Sequence, residues 1–344
     1  MQVIPDLGRL PLAITPTGDE KEMLSVFRDG EQTVVKINFS SLSIIQECGR
    51  KAQYSLVRKL KSKTESPATL FGSAVHKALE VFYMAPRSER VFPVRFEEHA
   101  ELMAYGHPAP TDELLYRCLS AFLTAAEKLK PLPDTDKRSL TSGVWMLCHY
   151  FRVYAEDPWV CLQDEKGPIV ERRCEYPIYE DAKLKIIMHG TIDIVLRNEQ
   201  NGAILPGDHK TTSIVGNDFY TRLYPNYQYS FYSFLAREVL GIKADGFLVN
   251  ALETKSKPLT PRGSPPKFFR QVTKRTEKDY EDMKQVIYEA VQNILRWENQ
   301  GFFPQGSVTI CTNYGGCSYH KVCSAPHEIK ETVIENTFTE FKSV

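Results

Sequence analysis

The chain has 344 residues, 42% of them hydrophobic and 25% charged, with 43 basic side chains balanced by 43 acidic ones. That composition leaves ample material for a core and excludes wholesale disorder, while a formal net charge of zero excludes a histone-like binder and leaves any nucleic-acid contact to local patches. The opening MQVIPDLGRLPLAITPT has no cationic leader with an apolar core, and no apolar run approaches the ~20 residues of a membrane helix, so a cytoplasmic protein with no membrane partner is expected.

One elaborated domain over 1–344 is expected. Residues 1–38 form an irregular or β-rich lead-in, with Thr33, Val34, Val35 and Ile37 suggesting a strand. Ser40 or Ser41 then caps a helix running to about Lys61. A second helix spans about Pro67 to Met84, where Phe71, Ala74, Val75, Ala78, Leu79 and Phe82 recur at helical spacing. Pro86, Pro93, Pro108 and Pro110 mark an irregular segment, followed by two packed helices at Thr111–Lys130 and Ser139–Glu156; residues 86–165 read as a helical insertion.

The period then changes. β-Branched residues and alternation predict strands at 169–178, 184–197 and 203–210, then a helix over Tyr224–Leu240 and a strand over Asp245–Leu252, so 166–252 carries the sheet. Segment 254–266, rich in Pro, Lys and Thr, predicts a loop. Phe268–Val272 predicts a strand, and Thr276–Asn299 a long helix that Gly301 ends.

The central constellation is His189-Gly190-Thr191-Ile192-Asp193, followed after Asn201-Gly202 by Leu205-Pro206-Gly207-Asp208-His209-Lys210. Side chains alternate across a strand, so Ile192, Ile194 and Leu196 share one face and Thr191 and Asp193 the other. Asn-Gly signals a hairpin. A loop centred on Gln200-Asn201 sets Asp193 opposite Asp208, whereas one centred on Asn201-Gly202 sets it opposite Lys210. Two facing carboxylates repel, and a divalent cation between them is the economical remedy. The plainer alternative is a cross-strand ion pair of Asp193 with Lys210. Pro206 inside the second strand predicts an irregularity there.

His76 shares a helical stripe with Gly72, Glu80 and Tyr83, where an imidazole is a competent metal ligand and the glycine admits close approach. Gln228 and Tyr232, four apart, share a helix face. Glu171 and Glu80 are further carboxylates, either supporting the site or ordinary surface charge. Two basic stretches, Arg50, Lys51, Arg58, Lys59, Lys61, Lys63 and Lys255, Lys257, Arg262, Lys267, Arg270, Lys274, Arg275, could contact phosphates, and Tyr54, Phe268 and Phe269 could stack on bases. No G-x4-G-K-[ST] occurs, so no phosphate-binding motor motif is present.

In a reducing compartment clustered cysteines favour metal over disulfides. Cys118, Cys148, Cys161 and Cys174 are scattered and expected as small buried residues. The final segment, 301–326, carries Cys311-x5-Cys317-x5-Cys323. Zinc could be held there by Cys311, Cys317, His320 and Cys323, leaving Cys48 in the core.

Taken in order, these motifs resemble the RecB-like branch of the PD-(D/E)XK nuclease superfamily, especially iron–sulfur members such as the AddB nuclease domain and the CRISPR-associated exonucleases. Ser43-x4-Cys48-Gly49-Arg50-Lys51 resembles the first cluster cysteine and its Pro-Arg-Lys run, with Gly49 in place of Pro. Phe71-Gly72-x3-His76, Gly190-Thr191-Ile192-Asp193, Asp208-His209-Lys210 and Gln228-x3-Tyr232 resemble the later motifs. The resemblance implies an α/β restriction-endonuclease-like core, a mixed sheet flanked by helices, with a helical insertion and a C-terminal iron–sulfur segment. It implies Mg²⁺ or Mn²⁺ on His76, Asp193, Asp208 and the His209 carbonyl, with Lys210 catalytic and Gln228 and Tyr232 in support. It implies a [4Fe-4S] cluster on Cys48, Cys311, Cys317 and Cys323, although the usual C-x2-C pair is missing. The expected activity is exonucleolytic trimming of single-stranded or frayed DNA ends, alone or with a separate helicase or recombinase, in recombination, repair or phage DNA metabolism. The competing reading is a non-catalytic nucleic-acid-binding module of the same fold.

Overall fold

The computed structural model describes residues 23–90, 114–213, 216–244, 246–257, 264–312 and 316–340. The first part of the lead-in, Pro93, Pro108, Pro110, the predicted helix start at Thr111, Asp245 and Arg262 lie outside the described residues.

Strands β1 (Leu24–Asp29) and β2 (Gln32–Ile37) lead into helix α1 (Phe39–Glu47), the short α2 (Gly49–Ala52) with a π-type turn at Gln53–Val57, and β3 (Leu60–Ser62). Helices α3 (Pro67–Met84), α4 (Leu114–Ala125) and α5 (Leu140–Val153) follow, then β4 (Trp159–Cys161), β5 (Val170–Glu180), β6 (Leu184–Asn198), β7 (Ile204–Thr212), α6 (Tyr227–Leu240), β8 (Gly246–Glu253), β9 (Phe268–Lys274) and α7 (Glu277–Gln300). The chain finishes with α8 (Val308–Thr312), α9 (His320–Ser324), α10 (Lys330–Thr337) and β10 (Phe338–Glu340). Its contacts fall into two compact units, one drawn from Met1–Thr64, Cys174–Gly190 and Glu277–Val344, the other from Glu65–Arg173 and Thr191–Thr276.

In the first unit β1 and β2 form an antiparallel hairpin, and β2 runs parallel to the start of β6, with Thr33 opposite Leu184 and Ile37 opposite Met188. Helices α1 and α7 pack together, and β3 pairs antiparallel with β10. The continuous helix expected to Lys61 is a correction: Asn38, not a serine, caps α1, and the helix breaks at Cys48, which is extended at φ −165° and ψ 123°. The Arg50 N–H, next but one after the break, bonds instead to the Pro304 carbonyl at 3.1 Å.

The second unit is an α/β arrangement with a mixed sheet flanked by helices. The end of β6 pairs antiparallel with β4 and β7, β7 runs parallel to β8, and β8 is antiparallel to β9. One face, with Ile194, Leu196, Leu205, Leu248 and Leu252, is covered by Phe71, Val75, Leu79 and Phe82 of α3 and by α4 and α5. Each of those α3 side chains contributes about 1.5–3 kcal/mol on full burial. The other face, with Phe247, Val249 and Ala251, packs against Phe219, Leu223 and Tyr229.

Of the two hairpin registers, the first is found: Ile194 lies opposite Gly207, the last pair of the ladder and the register that corresponds to Asp193 opposite Asp208. Pro206 fits inside β7 without a lost bond. It faces Val195, whose N–H and C=O are taken by Ile169 and Leu162 on the other side, and the β8 ladder begins only at Gly207.

Candidate active site

Helix α3 is capped by the Ser66 side chain, which accepts from the Thr69 N–H, with Pro67 in the first turn. Its apolar face is buried in the core, and the adjoining stripe directs His76 at β7. The His76 Nε2–H donates to the His209 carbonyl at 2.6 Å, which leaves Nδ1 directed at Asp193 Oδ2, 3.3 Å away. Among the described residues, His76, Asp193 and Asp208 are the His, Cys, Asp and Glu ligands whose donor atoms gather in a group of three within 4.8 Å of one another. Lys210 Nζ lies 2.5 Å from Asp208 Oδ2, and the His209 N–H reaches Asp193 Oδ2 at 3.4 Å.

The electrostatics match a cation site. Burial holds the Asp193 carboxyl well above its ordinary range, the Asp208 charge and a hydrogen bond shared with Asp208 push further, and Lys210 only partly opposes them. An Asp193 carboxyl pushed by burial toward its neutral form beside the Asp208 charge is a donor that a divalent cation relieves. One imidazole nitrogen with two hard carboxylate oxygens suits Mg²⁺ or Mn²⁺ and leaves coordination positions for water and phosphate. The residues therefore fit the ion. The His209 carbonyl accepts from His76 Nε2 and so orients the ring, as a carbonyl behind a metal-bound histidine does; its place among the ligands is what the family pattern implies.

Asn226 caps α6 by accepting from the Gln228 N–H. One turn on, half-buried Tyr232 has its phenol pushed up by burial and then by the charges of Asp208, Asp193 and Glu171. It stays protonated and faces the carboxylates, with Gln228 half-exposed on the same helix face. Glu171 has a φ of +46°, a strained position for a non-glycine residue. Glu80 is paired with Lys77 at 2.6 Å. A Cβ at Gly72 would lie 3.4 Å from Thr211 Oγ1, so α3 approaches β7 closely there.

Several residues expected to contact nucleic acid have partners within the fold. Tyr54 is buried against Tyr319, unable to stack on a base. Arg58 is paired with Glu331, Lys51 with Glu47, and Lys63 donates to the Glu335 carbonyl. Arg270 is paired with Asp157, and Arg275 is buried under Tyr224 and Tyr229, donating to the Leu223 carbonyl at 2.9 Å. Lys267 and Lys274 are exposed. Asn250, Tyr150 and Asp157, which hold Arg270 and His209, were not singled out in the sequence; the one available signal was a lone Asn in the apolar strand Gly246–Glu253.

All eight cysteines are free, and Cys118, Cys148 and Cys174 are buried as expected. Cys48 Sγ accepts from the Gly306 N–H at 3.2 Å. A Cβ on Gly306 would meet the Glu47 carbonyl at 2.5 Å, and one on Gly49 would meet three Pro304 atoms at 2.6–2.9 Å, so the backbone around Cys48 touches the segment leading to Cys311. The Cys317 N–H bonds to the Cys311 carbonyl at 2.9 Å. Burial raises the Cys317 and Cys323 thiols, and Cys48 raises both further. The four are thus neighbours, yet no three of their sulfurs lie within 4.8 Å of one another. A tetrahedral zinc with Zn–S near 2.3 Å would set sulfurs about 3.8 Å apart.

The family model of the PD-(D/E)XK nuclease superfamily matches residues 36–324. The chain belongs to that superfamily. A solved Eubacterium rectale structure, carrying the provisional name of exonuclease, is similar over 86% of this chain and 91% of that chain, at 13% identity and a TM-score of 0.44. Among curated proteins, none matches the sequence. No helix among the described residues is long and apolar enough to cross a membrane.

Proposed function

We propose that the chain is a Mg²⁺- or Mn²⁺-dependent deoxyribonuclease, an exonuclease trimming single-stranded or frayed DNA ends. The observation that carries this reading is the convergence of His76 Nδ1, Asp193 and Asp208 within 4.8 Å, with the Lys210 ammonium on Asp208. A bound divalent ion supplies positive charge at the scissile phosphate and makes water a better nucleophile at neutral pH. Asp193 and Asp208 provide the negative charge that holds it, and His76 Nδ1 the third donor, fixed by its bond to His209. The Lys210 ammonium stabilises the anionic phosphate oxygens as charge grows on them, or orients the attacking water. Tyr232, kept as a phenol, offers a hydrogen-bond donor on the same side, and Gln228 adds a neutral polar contact. Lys255, Lys257, Lys267 and Lys274 are the basic residues proposed to meet the phosphate backbone.

At the cysteines the proposal is a [4Fe-4S] cluster on Cys48, Cys311, Cys317 and Cys323, with zinc as the alternative. What supports the cluster is Cys48 accepting from the Gly306 N–H ahead of the segment with Cys311, Cys317 and Cys323, and raising the Cys317 and Cys323 thiols. A separate helicase or recombinase is the proposed partner, since the chain carries no motor motif.

The test is incubation of end-labelled single-stranded and duplex DNA with Mg²⁺ or Mn²⁺, with Lys210→Ala as control. Shortening of labelled ends by the wild type alone supports the reading. Equal persistence of DNA with both proteins would sink it in favour of the binding module.

A further inference from the structure

One buried polar network lies directly behind the trio and is used by none of the chemistry above. Register sets His209, Asn250 and Arg270 in one row across β7, β8 and β9. Arg270 donates to the Asp157 carboxylate and the Tyr83 hydroxyl, to the Tyr150 hydroxyl at 3.1 Å and, through Nε, to Asn250 Oδ1 at 3.3 Å. Its guanidinium lies 3.8 Å from the Tyr154 ring centroid. With Oδ1 committed to an obligate donor, Asn250 turns Nδ2 to the Tyr150 hydroxyl at 2.7 Å and to His209 Nδ1 at 2.8 Å. The Tyr83 ring stacks on the His209 imidazole, centroids 5.4 Å apart and planes 18° from parallel.

An arginine–aspartate pair and an amide in an otherwise apolar layer carry a desolvation cost that a row of apolar residues would avoid, so stability alone does not account for them. Their common endpoint is His209. Its imidazole is gripped on one edge and one face, and its main chain touches two of the three cation donors: C=O to His76 Nε2, N–H to Asp193 Oδ2. We propose that Asn250 and Arg270 are positioning residues of the cation site, acting through His209 to aim His76 and Asp193. This rests on the nuclease reading.

The test uses the full chain and Mn²⁺ alone, with free Mn²⁺ followed by electron paramagnetic resonance, beside cleavage kinetics. Asn250→Leu, which matches Asn in number and branching of side-chain heavy atoms, is expected to weaken Mn²⁺ binding about 10–100-fold, the range for lost hydrogen-bond partners behind a metal ligand. The Mn²⁺ needed for half-maximal cleavage shifts equally, while kcat at saturating Mn²⁺ and KM for DNA stay within about threefold. Should that variant not fold, Asn250→Ala carries the same expectation. Wild-type Mn²⁺ affinity in the folded variant, or a fall in kcat with affinity unchanged, overturns the positioning role; if Asp193→Asn abolishes binding at the same time, the nuclease reading survives. Absence of Mn²⁺ binding by the wild type, or wild-type binding by Asp193→Asn, overturns both.

Discussion

Asp193→Asn is expected to stabilise the metal-free protein while destroying its function. The facing donor oxygens of Asp193 and Asp208 lie within 4.8 Å. Two unit charges at that separation repel by about 3 kcal/mol at an effective dielectric constant of about 20. Lys210 on Asp208 offsets part of this, leaving about 1–2 kcal/mol to be gained by an amide once both carboxyls are ionised. The folded-state pKa of Asp193 is raised above its ordinary 3.8. A raised carboxyl contributes stability that is fully present below the unfolded value and lost as pH rises through the folded one. The amide's advantage should therefore be absent at and below about pH 4 and should grow as pH rises toward and through the folded value. Urea unfolding followed by tryptophan fluorescence, in EDTA at about pH 4 and pH 8, measures it. Saturating Mn²⁺ should reverse the order, since the wild type gains about 2.7 kcal/mol at 100 times its Kd. A variant less stable than wild type in EDTA at pH 8, or an equal gain at pH 4, would refute the reasoning.

Lys210→Ala should lower kcat for DNA cleavage by about 10²–10³-fold, with Mn²⁺ affinity changed far less, because the role proposed for the ammonium is on developing charge; parallel cleavage and binding titrations separate the two. Gly49→Ala should cost about 1–3 kcal/mol, since its Cβ would lie 2.6–2.9 Å from Pro304, and, on the proposed cluster, should lower metal retention at Cys48; urea midpoints and metal analysis of the purified protein check both. Cys161, its thiol pushed up to about 11 by burial, and buried Cys118 should resist iodoacetamide at pH 8 in the folded protein; mass spectrometry of the labelled peptides reads this, and labelling as fast as in urea would contradict it.

The sequence by itself determined the strands around Asp193 and Asp208, the α3 face behind His76 and the α6 helix with Gln228 and Tyr232, because periodicity and capping are local and each element buries the face its pattern marks. It offered two hairpin registers and could not choose between them. Pairing of Ile194 with Gly207 was decided in the folded sheet; the alternative differs by a two-residue shift, which keeps Asp193 on the same face but sets it opposite Lys210, so the face pattern along the chain does not distinguish them. Pro206 looked like a defect because the donors and acceptors of Val195 on the far side are invisible along the chain. The basic stretches show the same limit of a local pattern: a charge in sequence has no partner until the fold supplies one, and Arg58, Arg270 and Arg275 found theirs in Glu331, in Asp157 and in the Leu223 carbonyl. Only the tertiary structure put Asn250 beside His209 and set His76 Nδ1 on Asp193, because those contacts join elements 41 and more than 100 residues apart, brought together by burial of apolar faces that carry no record of which polar atoms will meet.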